Sequence, residues 1–337
     1  MTVRKLAVLG AFSASLLLAG SALALDKVRF GTNWVAEPEH GGFYQAVADG
    51  TYAKCGLDVE IVPGGPQVNN RAQMMAGKLQ FNMGGNMLQM FSAAKQGIPI
   101  KVVASMFQKD PQVIMTHPGQ GLDTWASLKG IDLMLGNAGY VSFFQWMISE
   151  YGFKPEQRKP YNFNPAPFIA DKRAGQQGYV TSEPYAVEKQ GGFTPNVFLL
   201  ADQGWSTYST TIEVMDQYLA GHAKQVQCFV DGSILGWVGY LYGDPAKANA
   251  MIKKDNPDMT DDQIAFSIKA LKKYGVVDSG DSLKLGIGAM TAKRHEAFYK
   301  SMVKSGVVKP GLDVTKTYTL KFVNKGVGLD LKKKLMK

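Results

Sequence analysis

Residues 57–62 read LDVEIV, and residues 63–66 after them read PGGP. Apolar and charged side chains alternate strictly through the first run, which predicts a strand with one buried face. The prolines and glycines of the second run end that strand. A helical pattern precedes the strand at 41–52, and another follows it at 69–76. Because helices and strands alternate here, the sequence predicts an α/β fold with helices packed on a sheet.

The same alternation continues on both sides of this stretch. Toward the N-terminus, residues 28–34 form a predicted strand that runs into a loop. Toward the C-terminus, a short strand at 81–85 is followed by a helix that Asn86 can cap, and then by an apolar strand at 100–106. This first unit therefore contains several βα repeats.

A second α/β unit begins near residue 117. It contains a strand at 131–135 and a helix that starts with Ser182 as its cap and Pro184 in its first turn. The remaining predicted strands of this unit are at 161–163, 177–180 and 197–201. The last third of the chain is mostly helical, with caps at Thr260 and Thr291, and we expect it to return to the first unit.

The chain length fits this two-part organisation. At about 150 residues per domain, 337 residues favour two domains or lobes. The sequence predicts a leader at 1–24, a first lobe formed by 25–116 together with 206–337, and a second lobe at 117–205. Open α/β sheets bind ligands at the carboxyl ends of their strands, so we expect a ligand cleft between the lobes.

The first 24 residues have the pattern of a secretory signal peptide. Arg4 and Lys5 precede an apolar run, and residues 22–24 read ALA, the small-residue pattern that signal peptidase cleaves. The apolar run is short for a membrane span of about 20 residues. We therefore expect cleavage after Ala24 and a periplasmic location.

Composition excludes several other functions. The formal charge is +9, but the lysines are scattered and an exported protein has little access to nucleic acid, so we expect no nucleic-acid partner. The four histidines are scattered and there is no Cys-x-x-Cys, so no metal site is predicted. Cys55 and Cys228 are far apart in sequence, which disfavours a disulfide but leaves it open.

Several stretches resemble one known family. They are NW at 33–34, PEHGGFY at 38–44, GLDV at 56–59, MGGN at 83–86, YVTSEPY at 179–185 and GWSTY at 204–208. In order and spacing they resemble the thiamine-pyrimidine-synthesis-like (NMT1/THI5-like) family. This family groups pyrimidine-synthesis proteins with periplasmic substrate-binding proteins of ABC transporters.

The resemblance implies a type II periplasmic-binding-protein fold and a monomer that delivers its ligand to an ABC permease with its ATPase. It implies a small N-heteroaromatic ligand such as hydroxymethylpyrimidine or formylaminopyrimidine. Riboflavin is the second alternative, and taurine or an aliphatic sulfonate is the third. A sensor subunit that signals to a membrane kinase is a further alternative, although no additional domain in the sequence supports it.

The resemblance also raises an enzymatic alternative. Fungal members of the family synthesise the thiamine pyrimidine with pyridoxal phosphate, iron and an active-site histidine, and His40 matches the position of that histidine. The cysteine-rich iron-binding motif of those enzymes has no counterpart here. We therefore expect no catalysis, no cofactor and no metal, with His40 as a ligand donor.

The predicted ligand-binding residues are aromatic and polar side chains in loops at strand ends. A planar ring needs stacking faces, and buried polar groups give specificity. Glu183 can receive an aminopyrimidine edge, although a carboxylate there also stabilises its helix N-terminus. The asparagines can equally act as caps and the aromatic residues as core. The full set is Asn33, Trp34, His40, Tyr44, Asn86, Asn137, Tyr140, Glu183, Tyr185, Trp205 and Tyr208.

Overall fold

The computed structural model describes residues 24–65 and 68–337, and its strands form two separate five-stranded sheets. The predicted leader lies outside the described residues except for Ala24. The strands are β1 Asp26–Gly31, β2 Leu57–Val62, β3 Phe81–Asn86, β4 Ile100–Phe107, β5 Gln112–Thr116, β6 Leu133–Leu135, β7 Arg158–Pro160, β8 Gly175–Tyr179, β9 Asn196–Leu199 and β10 Ser209–Met215.

Fifteen α-helices pack around these sheets in the described part of the chain. They are α1 Gly41–Ala48, α2 Thr51–Lys54, α3 Asn70–Met75, α4 Met87–Lys95, α5 Asn137–Tyr140, α6 Phe143–Tyr151, α7 Ala166–Ala170, α8 Glu183–Gly191, α9 Asp216–Gly221, α10 Ala223–Tyr242, α11 Ala246–Asp255, α12 Asp261–Lys273, α13 Ser282–Leu285, α14 Ala292–Lys304 and α15 Leu329–Leu335. None of these helices has the length and apolar character that crossing a membrane requires.

The first sheet has the strand order β2-β1-β3-β10-β4. The strand β1 pairs in parallel with β2 and β3, whereas β10 runs antiparallel between β3 and β4. The predicted alternation of β2 is confirmed, with Leu57 and Val59 buried and Asp58 and Glu60 exposed. Because β10 follows the whole second sheet in sequence, the chain leaves the first sheet after β4 and returns to it.

The core of the first sheet is aromatic. The ring of Phe229 on α10 stacks on Phe81 at a centroid distance of 4.0 Å and on Tyr52 at 5.1 Å. Phe30 packs against Phe43 of α1 at 4.6 Å. Burying such large rings stabilises the packing of β1, β3, α1 and α10 against one another.

The second sheet has the order β7-β6-β8-β5-β9. The expected lobe boundary at residue 117 needs one correction, because β5 pairs with β8 and β9 of this sheet. The strand expected at 161–163 is also displaced: residues 158–160 form β7 instead, and Phe163 adopts a left-handed φ of 66° that no regular strand has. The chain thus crosses between the sheets at 108–111 and again at 200–208.

The two cysteines are joined in a disulfide, contrary to the expectation from their spacing. Cys55 follows α2 and Cys228 lies in α10, with a Cα–Cα distance of 5.8 Å. The sequence separation of 173 residues disfavoured the pair. The disulfide forms because the chain returns to the first sheet through β10, and α10, which follows soon after β10, packs against α2.

Candidate functional site

A cavity of about 310 Å³ lies between the two sheets, at the carboxyl ends of β3 and β8. This is the position that open α/β folds use for ligands. Its wall consists of Asn33, Trp34, Glu37, Glu39, Gly85, Asn86, Gln89, Gln112, Ala138, Gly139, Ser142, Phe143, Phe163, Gln177, Gly178, Tyr179, Ser182, Glu183 and Trp205. A wider surface hollow between α11 and α12 is lysine-lined and lies away from the strand ends.

Glu183 is the best-fixed polar group of this wall. It is the first residue of α8, and its Oε2 accepts a hydrogen bond from the backbone N–H of Tyr179 at 2.7 Å. Burial raises the pKa of Glu183 to about 7. Ser182 occupies the N-cap position but makes no side-chain capping bond, contrary to the prediction. The Glu183 carboxylate instead connects the end of β8 to the start of α8.

Two further carboxylates face the same cavity, and sequence reasoning missed both. Glu37 and Glu39 flank Pro38 in the loop after β1, and Glu39 is only 5% exposed. Burial raises the pKa of both groups, and the Glu39 and Glu183 carboxylates raise that of Glu37 further. Their position beside Pro38, just past a strand end, was the available signal. Of the described residues, those on the wall include no lysine, arginine or histidine.

Aromatic side chains cover the cavity from both sheets. Trp34 is 39% exposed and lines the mouth of the cavity. Trp205 lies deeper, packed against Trp146 at 5.4 Å and Phe298 at 5.2 Å. Phe163, which was not predicted, also lines the mouth and is 66% exposed. The cavity therefore presents aromatic surface at its mouth and at its inner wall.

Amide side chains complete the polar surface. Gln177 Oε1 accepts from the backbone N–H of Gly136 at 2.8 Å, and Gln89 Oε1 accepts from Gly85 at 2.9 Å. In both cases the amide oxygen is used, which leaves the NH₂ group as a donor. Asn86 lines the cavity but also caps α4, because its Oδ1 accepts from Leu88 at 3.0 Å.

His40 lies behind the wall rather than on it. Its Nε2 is 3.2 Å from Asn33 Oδ1 and 3.7 Å from Glu37 Oε1. Burial lowers the pKa of His40 to about 3, so the imidazole is neutral at physiological pH. The ring positions Asn33 and Glu37, which themselves line the cavity.

Two tyrosines expected at the cleft are part of the first sheet's structure. The Tyr44 hydroxyl donates to Asp255 Oδ2 at 2.8 Å, because this face of α1 packs on α11. Tyr208 is fully buried, and its hydroxyl accepts from the backbone N–H of Thr291 at 3.0 Å. Neither side chain is on the cavity wall.

Three other predicted residues are also outside the wall. Asn137 is exposed, and its Oδ1 accepts from Arg158, whose guanidinium also lies 4.9 Å from the Tyr140 ring centroid. Tyr185 packs against Phe266 of α12 at 5.5 Å, which places it on an interface between α8 and α12. The orientation of α5 explains two of these positions. Asn137 and Tyr140 are on α5, which presents Ala138 and Gly139 to the cavity.

The described residues contain no group of three or more His, Cys, Asp or Glu side chains suited to a metal ion. The wall of the cavity carries three glutamates, Glu37, Glu39 and Glu183. Together with two tryptophans and several amides, they form a concave surface that can accept N–H hydrogen bonds and stack on a ring.

Comparisons with known sequences agree with this architecture. A family described as NMT1/THI5 like matches residues 37–248. A 4-amino-5-hydroxymethyl-2-methylpyrimidine phosphate synthase of Saccharomyces cerevisiae is 25% identical over 242 residues, which cover 67% of this chain and 70% of the synthase.

Solved structures share the fold at low identity. The ligand-binding component of an ABC-type import system from Staphylococcus aureus has a TM-score of 0.62 and 13% identity, over 88% of this chain and 97% of its own. The periplasmic aliphatic sulphonate binding protein of Escherichia coli has a TM-score of 0.60 and 14% identity, over 87% and 92%. These likenesses confirm the predicted two-lobed, type II periplasmic-binding-protein fold.

Proposed function

The chain belongs to the NMT1/THI5-like family, and from that premise we propose that it is the solute-binding component of an ABC importer. Its ligand is a small N-heteroaromatic compound of the thiamine-pyrimidine type, such as hydroxymethylpyrimidine or formylaminopyrimidine. The observation that carries this proposal is the Glu183 carboxylate, fixed by Tyr179 beside the aromatic wall. A carboxylate in that setting accepts an N–H of the exocyclic amino group of an aminopyrimidine.

The size of the cavity favours a single ring over riboflavin. Ligand pockets span about 300–1,000 Å³. At about 310 Å³ this cavity is at the lower end of that range. A three-ring flavin with a ribityl tail needs more room than one substituted pyrimidine.

The charge of the wall disfavours taurine and other sulfonates. Sulfonates are bound best by an arginine fork or another concentrated positive charge. Arg71 reaches the backbone of the wall at Gln89, but its guanidinium pairs with Glu213, with Nε to Oε2 at 2.9 Å. The three glutamates on the wall repel an anion when they are ionised.

We further propose that the protein is not a pyrimidine synthase. A synthase of the fungal type requires pyridoxal phosphate, iron and a reactive histidine. The described wall has no lysine to anchor the aldehyde and no cation to hold the phosphate, and His40 lies behind it. The residues present therefore do not fit that cofactor.

The proposed location is the periplasm, reached through the leader cleaved after Ala24. The Cys55–Cys228 disulfide supports this, because disulfides persist in oxidising compartments. The proposed partners are a permease with its ATPase, with the protein acting as a monomer that closes on its ligand.

Calorimetric titration of the chain from Leu25 onward tests the ligand class. We expect 4-amino-5-hydroxymethyl-2-methylpyrimidine to bind at one site per chain, and riboflavin and taurine to bind much more weakly. Trp34→Ala and Glu183→Gln should each weaken binding by about tenfold, because each removes about 1–2 kcal/mol of stacking or charge-assisted hydrogen bonding.

Glu188→Gln is the matched control, because Glu188 is exposed on the same helix α8 and is absent from the wall. It should bind like the unmodified chain. Binding of taurine alone would contradict the proposed ligand, and pyrimidine formed on incubation with pyridoxal phosphate and iron would overturn the transport function.

A further inference from the structure

The wall of the cavity carries several acidic side chains. Glu37, Glu39 and Glu183 face it, and no basic side chain of the described residues shares the wall. Carboxylates that are removed from water without a partner are costly. Protonation relieves this cost in the empty cavity, which is why burial raises the pKa of all three groups. A cationic ligand pairs with the carboxylates and lets them stay ionised, whereas a neutral ligand does not.

A second, independent feature is an unused donor on the same wall. Trp205 is 1% exposed and lines the cavity, yet its Nε1–H has no hydrogen-bond partner among the residues that the structure describes. Buried polar groups in folded proteins are normally paired. An acceptor atom on a bound molecule would complete this group.

The mouth carries a third feature, a strained aromatic residue. Phe163 has a φ of 66°, in the left-handed region that bulky residues avoid. Its ring is two-thirds exposed and lies on the second-sheet side of the cavity, whereas Trp34 lies on the first-sheet side. Residues held in sparsely populated backbone regions cluster at binding and active sites.

We infer that this cavity selects a flat organic cation. Its N–H groups are received by Glu37, Glu39 and Glu183, and an acceptor atom on it takes the Trp205 N–H. Trp34 and Phe163 cover its edges or faces at the mouth, where aromatic rings also attract positive charge. This inference deepens the proposed function and rests on it for the site, but it adds the charge of the ligand, so an aminopyrimidine binds in its protonated form.

Three probes of nearly the same shape but different charge test the inference. At pH 8 benzamidine is cationic, benzamide is neutral and benzoate is anionic. Each is titrated into the chain from Leu25 onward by calorimetry or ligand-observed NMR. We expect benzamidine to bind at least about tenfold more tightly than benzamide, since hydrogen bonds to charged partners are worth about 1.5–3 kcal/mol. Benzoate should bind most weakly.

The double variant Glu39→Gln/Glu183→Gln keeps the shape of the wall and removes two charges. It should lose most of the preference for benzamidine over benzamide, while Glu188→Gln retains it. Benzamidine binding no tighter than benzamide, or an unchanged preference in the double variant, overturns the inference. Either result leaves the proposed function standing if the aminopyrimidine itself still binds, and that function fails separately if it does not.

Discussion

At the scale of single residues, the site depends on the hydrogen bond that the Glu183 carboxylate accepts. A carboxylate in the first turn of α8 can also stabilise the helix N-terminus, which is the alternative interpretation of Glu183 from the sequence. In the structure, the Glu183 carboxylate accepts a hydrogen bond from Tyr179 at the end of β8 and faces the cavity. The sequence identified Glu183, Trp34, Trp205, Asn33 and Asn86 as candidates, and the structure places these five on the wall.

The pKa of Glu183 predicts a pH dependence of stability. Its folded-state pKa of about 7 exceeds the unfolded value of about 4.3, so the folded state binds protons more strongly. This stabilisation is complete below about pH 4 and is lost as the pH rises to about 7. Burial raises the pKa of Asp110 to about 6, which acts in the same direction.

We therefore expect the ligand-free protein to lose stability between pH 5 and pH 8, with a contribution of about 3 kcal/mol from Glu183. Chemical unfolding at both pH values measures it. In Glu183→Gln the loss should shrink, while Glu188→Gln should match the unmodified chain. Equal pH dependence in Glu183→Gln and the unmodified chain would refute the assignment.

A second prediction concerns the strain at Phe163. Left-handed φ costs a non-glycine residue about 1–2 kcal/mol, and glycine loses about 0.5–1 kcal/mol more conformational entropy on folding. Phe163→Gly should therefore stabilise the fold by up to about 1 kcal/mol, while weakening ligand binding by the lost stacking, about 0.5–1.5 kcal/mol.

Phe163→Ala is the matched control, because it removes the ring but keeps the strained Cβ. Both variants should bind ligand equally weakly, but only the glycine variant should unfold at a higher temperature. Thermal unfolding and titration of the two proteins decide this. Normal ligand binding by both would remove Phe163 from the site.

At the scale of elements, local patterns predicted the regular parts of the fold and failed where distant segments decide. The sequence correctly predicts the alternation of β2 and the N-caps of α4, α12 and α14, because each depends on a few neighbouring residues. The pairing of β5 in the second sheet is a long-range property that no local pattern encodes. The side of a short helix that faces a cavity is equally nonlocal. The sequence therefore predicts Asn137 and Tyr140 on the wall, whereas the structure places both outside it.

The disulfide between α2 and α10 gives the prediction at this scale. A bridge that closes a loop of 173 residues lowers the entropy of the unfolded chain, with a stabilisation of about 5 kcal/mol in the chain-entropy treatment. The variant Cys55→Ser/Cys228→Ser should unfold at a clearly lower temperature. Its affinity for the ligand should stay unchanged, because neither cysteine is on the cavity wall. An unfolding temperature equal to that of the oxidised protein would show that the bridge contributes little.

At the scale of the whole molecule, the two sheets are connected through the segments at 108–111 and 200–208, and the Arg294 side chain contacts both. Arg294 of α14 donates to the carbonyls of Gln108 on the first segment, and of Ser206 and Thr207 on the second. Its guanidinium also lies 4.0 Å from the ring centroid of Tyr208. No sequence pattern indicates this role, because the three carbonyls are backbone groups that only the fold brings together. Tyr208, predicted as a ligand contact, is part of this connection instead.

Removing Arg294 should therefore loosen the connection between the lobes. In Arg294→Met the three carbonyls lose a charged donor, and we expect a loss of about 2–4 kcal/mol in the free energy of unfolding. Amide hydrogen exchange should accelerate most at 108–111 and 200–208, because local opening there no longer breaks these bonds. Lys293→Met is the control, since Lys293 is exposed on the same helix. If exchange rises evenly along the chain instead, Arg294 stabilises the protein as a whole and does not act on the hinge. Faster exchange confined to the two segments would identify them as the axis on which the cleft closes over its ligand.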